Sequence, residues 1–149
     1  MTAIRLEEIP DAGGGRWPHV AGHFRSMRMG DMEVGLTQVP PLDCTDAYSD
    51  GMLPGGICPC PHYGYVFKGR IRCRFPGTDW PDEVAETGMV YFFPAGHVLI
   101  YEEETVALEI NPAHALGMRM DAMERAATAR PDRHTLNQQA APAYEAPGG

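Results

Sequence analysis

The sequence predicts an all-β domain, a barrel or sandwich of short strands followed by one C-terminal helix. Its 149 residues are enough for one compact domain and too few for two domains of ordinary size. Its 17 glycines and 14 prolines exceed average usage, as turns between many short strands require. Stretches of alternating apolar and polar residues come before a single stripe with helical spacing.

The composition excludes several classes of partner. A formal charge of −8 and a pI near 5.1 argue against a protein that binds nucleic acid or an anionic membrane, since such proteins cluster lysine and arginine. Residues 1–10 lack the apolar run of a signal peptide, and no stretch approaches the roughly 20 apolar residues of a membrane span. We therefore expect a cytoplasmic protein, in which the four cysteines bind metal or remain free thiols.

The first third of the chain begins weakly patterned and then becomes strand-like. Residues 1–30 are interpreted as a lead-in with one or two edge strands. From Met32 to Val39, apolar side chains alternate with smaller or polar ones, which is the pattern of a half-buried strand. Residues 43–61 are rich in Asp, Gly, Pro and Cys and indicate a loop over the mouth of a barrel.

The barrel is predicted to occupy residues 31–111. Residues 63–75 indicate two strands separated at Lys68-Gly69, and in the second strand Ile71 and Cys73 face one way while three arginines face the other. A loop follows, punctuated by Pro76-Gly77 and Trp80-Pro81. Residues 89–93, 97–101 and 106–110 then predict three further strands.

The C-terminal part predicts one helix and a tail. Asn111 and Pro112 are typical of an N-cap and a first helical residue, so the helix is placed at residues 112–130. An apolar stripe at helical spacing would pack on the barrel, formed by Leu116, Met120, Met123 and Ala127. Residues 131–149 have almost nothing to bury and are predicted to be a disordered tail.

Two segments resemble the conserved motifs of the cupin superfamily. Residues 58–69 read Cys-Pro-Cys-Pro-His-Tyr-Gly-Tyr-Val-Phe-Lys-Gly, and residues 88–97 read Gly-Met-Val-Tyr-Phe-Phe-Pro-Ala-Gly-His. The family motifs have the forms G-x5-H-x-H-x3,4-E-x6-G and G-x5-P-x-G-x2-H-x3-N. Gly69 matches the end of the first, and Gly88, Pro94 and Gly96 match the second. Within the superfamily the chain resembles small single-domain bacterial cupins whose first motif is Cys-Pro-His-aromatic-Gly-Tyr-Val.

The resemblance implies a jelly-roll, or double-stranded β-helix, barrel that is often dimeric and has its site inside one end. A homodimer is therefore expected. The usual ligand positions are changed, because the superfamily's two histidines and glutamate of the first motif correspond here to Gly56, Cys58 and His62. In the second motif Leu99 stands at the histidine position and Glu103 at the asparagine position, with His97 two residues before Leu99.

A metal site is predicted from the cysteines and histidines of these motifs, namely Cys58, Cys60, His62 and His97. Thiolate and imidazole suit zinc, which is favoured over iron because no set of two histidines and one carboxylate is evident. Pro59 and Pro61 favour polyproline II, which would let two of the first three candidates point inward together. The alternative is that the cysteines are buried thiols and that the histidines cap loops by hydrogen bonding.

The remaining candidates concern a ligand and its chemistry. Glu109 lies in an apolar strand and is predicted either to face the cavity, as an acid/base or a partner of a metal ligand, or to face solvent. An aromatic lining for a small organic ligand is predicted, with barrel core as the alternative, from Tyr63, Tyr65, Tyr91 and Tyr101. The three acids at 102–104 indicate a solvated turn. Two functions stay open: a metal-dependent enzyme acting on a small organic substrate, and a non-catalytic binding or sensing module with structural or no metal.

Overall fold

Two antiparallel sheets form the body of the protein in a computed structural model that describes residues 3–20 and 23–134. The nine strands within these residues are β1 (His23–Met29), β2 (Met32–Val39), β3 (Leu42–Asp43), β4 (His62–Lys68), β5 (Arg70–Arg74), β6 (Glu83–Glu86), β7 (Val90–Phe93), β8 (Val98–Tyr101) and β9 (Thr105–Pro112). One sheet has the order β1-β2-β9-β4-β7 and the other the order β3-β8-β5-β6.

The strand pairing is that of a jelly roll. β5 pairs with β6, and the strands outside this hairpin pair in turn, β4 with β7, β3 with β8 and β2 with β9, all antiparallel. Successive pairs fall alternately in the two sheets, so the chain winds as a double-stranded β-helix, and β1 adds an edge strand beside β2. The predicted all-β jelly-roll class is confirmed.

Side-chain alternation decides what reaches the interior. In β9, Thr105, Ala107, Glu109 and Asn111 are buried, while the apolar residues between them point outward. In β4, His62 and Val66 are buried and Tyr63 is exposed. Both faces of these strands therefore carry apolar residues, and the buried face also carries the polar groups of the site.

Gly69 closes the β4–β5 turn with φ +104°, a left-handed conformation that favours glycine. A Cβ at this position would lie 2.5 Å from the carbonyl oxygen of Glu104. The motif glycine is therefore required both by its backbone conformation and by its close approach to the chain that enters β9.

The helices are α1 (Ala12–Gly15), α2 (Thr45–Asp50), α3 (Ala113–Ala129) and α4 (Pro131–His134), with 3-10 turns at Leu6–Glu8 and Pro54–Gly56. The apolar stripe expected on the C-terminal helix is buried on α3, and Tyr48 of α2 is buried as well. Within the described residues, no helix is both long and apolar enough to cross a lipid bilayer.

Some sequence-based boundaries differ from the structure. Asn111 is not the N-cap of α3, because it belongs to β9 and its side chain is used inside the barrel; Pro112 stands at the cap. The loop predicted at 43–61 contains α2, and the loop predicted after Pro76 contains β6, a short strand with one buried residue. Residues 131–134 form α4, whereas the rest of the predicted tail lies outside the described residues.

Candidate metal centre

The two motif segments meet at Cys58 and His97. These residues form an isolated antiparallel bridge, in which the Cys58 N–H donates to the His97 carbonyl at 2.8 Å and the Gly96 N–H donates to the Cys58 carbonyl at 2.8 Å. His62 is the first residue of β4, four residues after Cys58. Backbone pairing thus fixes the relative positions of three candidate ligands that lie up to 39 residues apart in the sequence.

Cys58, His62 and His97 offer one ligand atom each, and these atoms all lie within 4.8 Å of one another. The Cys58 Sγ is 3.7 Å from His62 Nε2, and the two imidazole rings have centroids 5.0 Å apart. Sulfur and nitrogen ligands of a tetrahedral zinc ion lie about 3.5 Å apart, given Zn–S and Zn–N distances of about 2.3 and 2.0 Å. The Cys58–His62 pair is close to this spacing, and the three residues together could hold a metal ion.

His97 is oriented by its other ring nitrogen. Nδ1 lies 2.6 Å from the carbonyl oxygen of Pro94, which can only accept, so Nδ1 carries the proton. Burial lowers the pKa of His97 to about 4, which leaves Nε2 unprotonated at neutral pH. Nε2 is buried and has no hydrogen-bond partner among the described residues. A lone pair left without a partner in the interior is a position that a metal ion fits.

Glu109 lies on the opposite side of the His62 ring from Cys58. The ring's Nε2 faces the Cys58 sulfur, whereas its Nδ1 lies 3.8 Å from Glu109 Oε2 and makes no hydrogen bond within the described chain. Burial, with the positive charge of Arg119, holds the pKa of His62 well below its ordinary value. The ring is therefore neutral and suited to binding a cation through Nε2.

Cys60 does not belong to the group of three. Its Sγ lies 3.1 Å from the carbonyl oxygen of Pro61, although its backbone N–H donates to the Cys58 sulfur at 3.4 Å. The segment thus turns two of its three candidate side chains, Cys58 and His62, toward the centre. Cys60 contributes a backbone donor to the sulfur of Cys58.

Glu109 faces the interior, not solvent. It is 1% exposed, accepts a hydrogen bond from the Tyr91 hydroxyl at 3.0 Å, and accepts another from the Asn111 amide at 3.1 Å. Burial raises its pKa. Gly64 makes room for this arrangement, since a Cβ there would lie 2.5 Å from the Tyr91 hydroxyl.

Two of the four candidate tyrosines face the barrel interior and two face outward. Tyr91 and Tyr101 are buried inside the barrel. Tyr63 and Tyr65 occupy the outward positions of β4, and Tyr63 packs on Phe92 with ring centroids 4.9 Å apart. Because they alternate with His62, neither can line the interior, and their predicted role as ligand-lining residues is wrong.

Sequence reasoning missed three interior polar residues, namely Arg119, Tyr48 and Asn111. Arg119 of α3 is 4% exposed and donates to the hydroxyl of Tyr48, which belongs to α2. Asn111 donates to Glu109 and accepts a hydrogen bond from the Tyr63 N–H at 3.1 Å. Arg119 falls three residues after Leu116 and four before Met123, so a cation at a position of the buried stripe was the available signal.

No protein-family model matches the chain, and a search of curated proteins finds no match either. Solved structures do match. A double-stranded β-helix protein from Klebsiella pneumoniae is 12% identical, with 77% of this chain and 93% of that chain covered and a TM-score of 0.46. A cupin-2 domain protein from Shewanella frigidimarina is 16% identical, with coverage of 59% and 76% and a TM-score of 0.37. The iron(II) form of HppE is 10% identical, with coverage of 74% and 60% and a TM-score of 0.46. Structures similar to this chain thus include proteins named for the cupin and double-stranded β-helix folds.

Proposed function

We propose that Cys58, His62 and His97 bind one divalent transition metal ion, zinc in preference to iron, and that the protein is a metal-dependent enzyme acting on a small organic substrate. The proposal makes it a small cytoplasmic cupin of the type with a Cys-Pro-His-aromatic-Gly-Tyr-Val first motif. The observation that carries it is the buried Nε2 of His97, which has no hydrogen-bond partner among the described residues and belongs to a side chain that lies in one group with Cys58 and His62.

Three protein ligands leave a tetrahedral ion one open position, which is the arrangement of catalytic zinc sites. A zinc ion bound there would supply Lewis-acid polarisation or a water of lowered pKa. Thiolate donation by Cys58 favours zinc over a redox iron centre. The donated N–H of Cys60 stabilises the negative sulfur, and the Pro94 carbonyl keeps His97 in the tautomer that presents Nε2.

Glu109 is the residue of this protein that we propose for proton transfer. Its carboxyl group has a raised pKa because it is buried, and it lies 3.8 Å from His62 Nδ1. A carboxyl group in this setting holds a proton closer to neutral pH than an exposed one does. Tyr91 and Asn111 fix its two oxygens, so its orientation does not depend on solvent.

The second candidate function is a non-catalytic cupin that binds or senses a small molecule, with structural or no metal. The observation that favours it is Leu99, which is 1% exposed and stands where the superfamily has its second-motif histidine. An apolar side chain there removes one conventional ligand from the centre.

The metal site is tested by elemental analysis of untagged protein after reconstitution with zinc. We expect about one zinc per chain in the wild type and less than about a tenth in Cys58→Ala and His97→Ala, because each substitution leaves two ligands. The matched controls are Cys73→Ala, which removes a buried thiol on β5, and His114→Ala, which removes an exposed imidazole on α3.

A wild-type protein that takes up no zinc, iron or other transition metal would rule out the metal-dependent function. Zinc bound equally well by Cys58→Ala and Cys73→Ala would place the ion elsewhere. Circular dichroism spectra of all variants separate loss of a ligand from loss of fold.

We further propose that two copies of the chain associate through the outer face of the five-stranded sheet. This apolar outer face consists of Tyr63, Tyr65, Val90, Phe92, Leu108 and Ile110. Val90 and Phe92 are 79% and 51% exposed there. The outer face of the other sheet instead carries ion pairs of Arg70 with Glu86 and of Arg72 with Asp82. Because the chain carries a charge of −8, two copies approach most easily where both surfaces are apolar.

Phe92→Lys is expected to convert a wild-type dimer to a monomer, because it places two like charges in the centre of that interface. Size-exclusion chromatography with multi-angle light scattering measures the mass. Trp80→Lys is the control, since Trp80 is 59% exposed on the β5–β6 loop, outside the apolar outer face. A monomeric wild type, or a Phe92→Lys dimer as tight as the wild type, would contradict the proposal.

A further inference from the structure

Arg119 is a buried cation without an acidic partner. Its Nε donates to the Tyr48 hydroxyl at 3.0 Å, and its guanidinium carbon lies 5.6 Å from the centre of the Tyr48 ring. Among residues 3–20 and 23–134, no carboxylate lies within ion-pairing distance of it. A buried guanidinium with only neutral partners is costly, and an anion relieves that cost.

The groups that surround Arg119 do not neutralise it. Tyr48, Tyr101 and Cys44 lie within its electrostatic reach, and phenol and thiol groups, with ordinary pKa values of about 10 and 8.5, are uncharged at neutral pH. Glu109 is also within reach, but its two oxygens are engaged by Tyr91 and Asn111. The positive charge is therefore available to a ligand.

A cleft between α3 and the barrel leads to the guanidinium. Apolar side chains from β1, β2 and α3 form most of its wall, and Thr37, Tyr101 and Arg119 are its polar groups. Its volume is about 20 Å³. By the same measure, roughly 10–15 Å³ is enough for one water molecule. This space admits a carboxylate group, and it is too small for a sugar or an aromatic ring.

We propose that Arg119 is the anion-binding residue of the site and that its ligand is a small organic carboxylate. The inference rests on the proposed function and names its substrate class. A divalent ion with one thiolate and two neutral imidazoles leaves one positive charge, and Arg119 adds a second. Glu109 offsets at most one of them, so the loaded centre retains a positive charge that an anionic ligand balances.

Arg119 also lies within electrostatic range of Cys58 and His62. A carboxylate held by its guanidinium would enter through the cleft beside α3. Arginine suits this task because its planar fork can donate two parallel hydrogen bonds to a carboxylate. Here Nε donates to Tyr48 and Nη1 donates to the Met120 sulfur at 3.1 Å, so these two contacts anchor the side chain, and Nη2 and the second N–H of Nη1 remain for the ligand.

The inference is tested by isothermal titration calorimetry on metal-free, full-length protein. The probes are acetate and propanoate, each compared with its neutral amide at concentrations up to about 50 mM. We expect the carboxylates to bind and the amides not to bind. Arg119→Met should weaken carboxylate binding at least about tenfold, and Arg119→Lys should weaken it less. Arg125→Met is the control, since Arg125 lies on the same helix and donates to the Gly51 carbonyl.

Equal binding of acid and amide by the wild type would overturn the inference, and this comparison does not depend on a variant folding. Carboxylate binding unaffected by Arg119→Met would also overturn it. Zinc content is measured on the same samples, so the two proposals fail separately: carboxylate binding that requires Arg119 supports this inference whether or not zinc binds.

Discussion

Zinc binding to the metal-free protein is expected to release about one proton per ion between about pH 6 and pH 8, so that the apparent affinity rises about tenfold per pH unit. The proton comes from Cys58. Burial raises the pKa of this thiol above its ordinary value of 9.0, with partial compensation by Arg119, so the free protein holds the thiol protonated throughout this range. A metal ion binds the thiolate and must displace that proton.

The histidines add nothing to this slope. The pKa of His97 is lowered to about 4 and that of His62 also lies well below its ordinary value, so both rings are already neutral above about pH 6. Calorimetry in buffers of different ionisation enthalpy counts the released protons. Cys58→His places at this position the residue that the cupin motif has, a ligand that is already neutral, and should abolish most of the release.

The proton count also decides the role of Cys60. A release of about two protons per zinc that falls to about one in Cys60→Ala would mean that Cys60 becomes a second thiolate ligand, whereas a second proton that is still released by Cys60→Ala would come from a metal-bound water. No release by the wild type would mean that Cys58 is not a ligand. One proton, lost in Cys58→His and retained in Cys60→Ala, is the result expected for the three-residue centre.

The positions that sequence reasoning located well are those where the backbone demands a particular residue. Gly69 occupies a left-handed turn against the Glu104 carbonyl, and Gly88 and Gly96 also have positive φ angles. Turns of this kind fix where strands begin and end, so the pattern of alternation predicted a barrel or sandwich, and the resemblance of the two glycine-containing motifs to those of cupins implied the jelly roll. The short strand β6, with a single buried residue, offered too little alternation to be recognised.

Site residues were harder to predict because side-chain direction depends on partners far along the chain. Residue type suggested that Tyr63 and Tyr65 line the site, yet the alternation that points His62 inward forces both of them outward. The direction of these side chains is hard to predict from the sequence, because β4 and β9 carry apolar residues on both faces. Arg119 was missed for a different reason, namely that a cation in a buried helical stripe contradicts the usual preference for apolar side chains there.

Glu109→Gln is expected to lower zinc affinity about 10- to 100-fold while leaving the fold intact. The amide is close to the carboxyl group in shape, and its single oxygen can keep the hydrogen bond from Tyr91 while the one from Asn111 is lost. What the substitution removes is a carboxyl group, 3.8 Å from His62 Nδ1, that can carry a negative charge when the cation is bound. That charge makes the ring a stronger donor to the metal and fixes its orientation when the ion is bound.

Competition with a chelator of known zinc affinity measures the change, and thermal unfolding of the metal-free proteins measures stability. Glu33→Gln is the matched control, because Glu33 is also 1% exposed but accepts hydrogen bonds from Ser26 and Arg16, outside the group of three ligands. We expect Glu33→Gln to lose stability and keep its zinc affinity, and Glu109→Gln to lose zinc affinity. Equal zinc affinity in the wild type and Glu109→Gln would show that His62 binds without help from Glu109, and would leave the carboxyl group free to act only on the substrate.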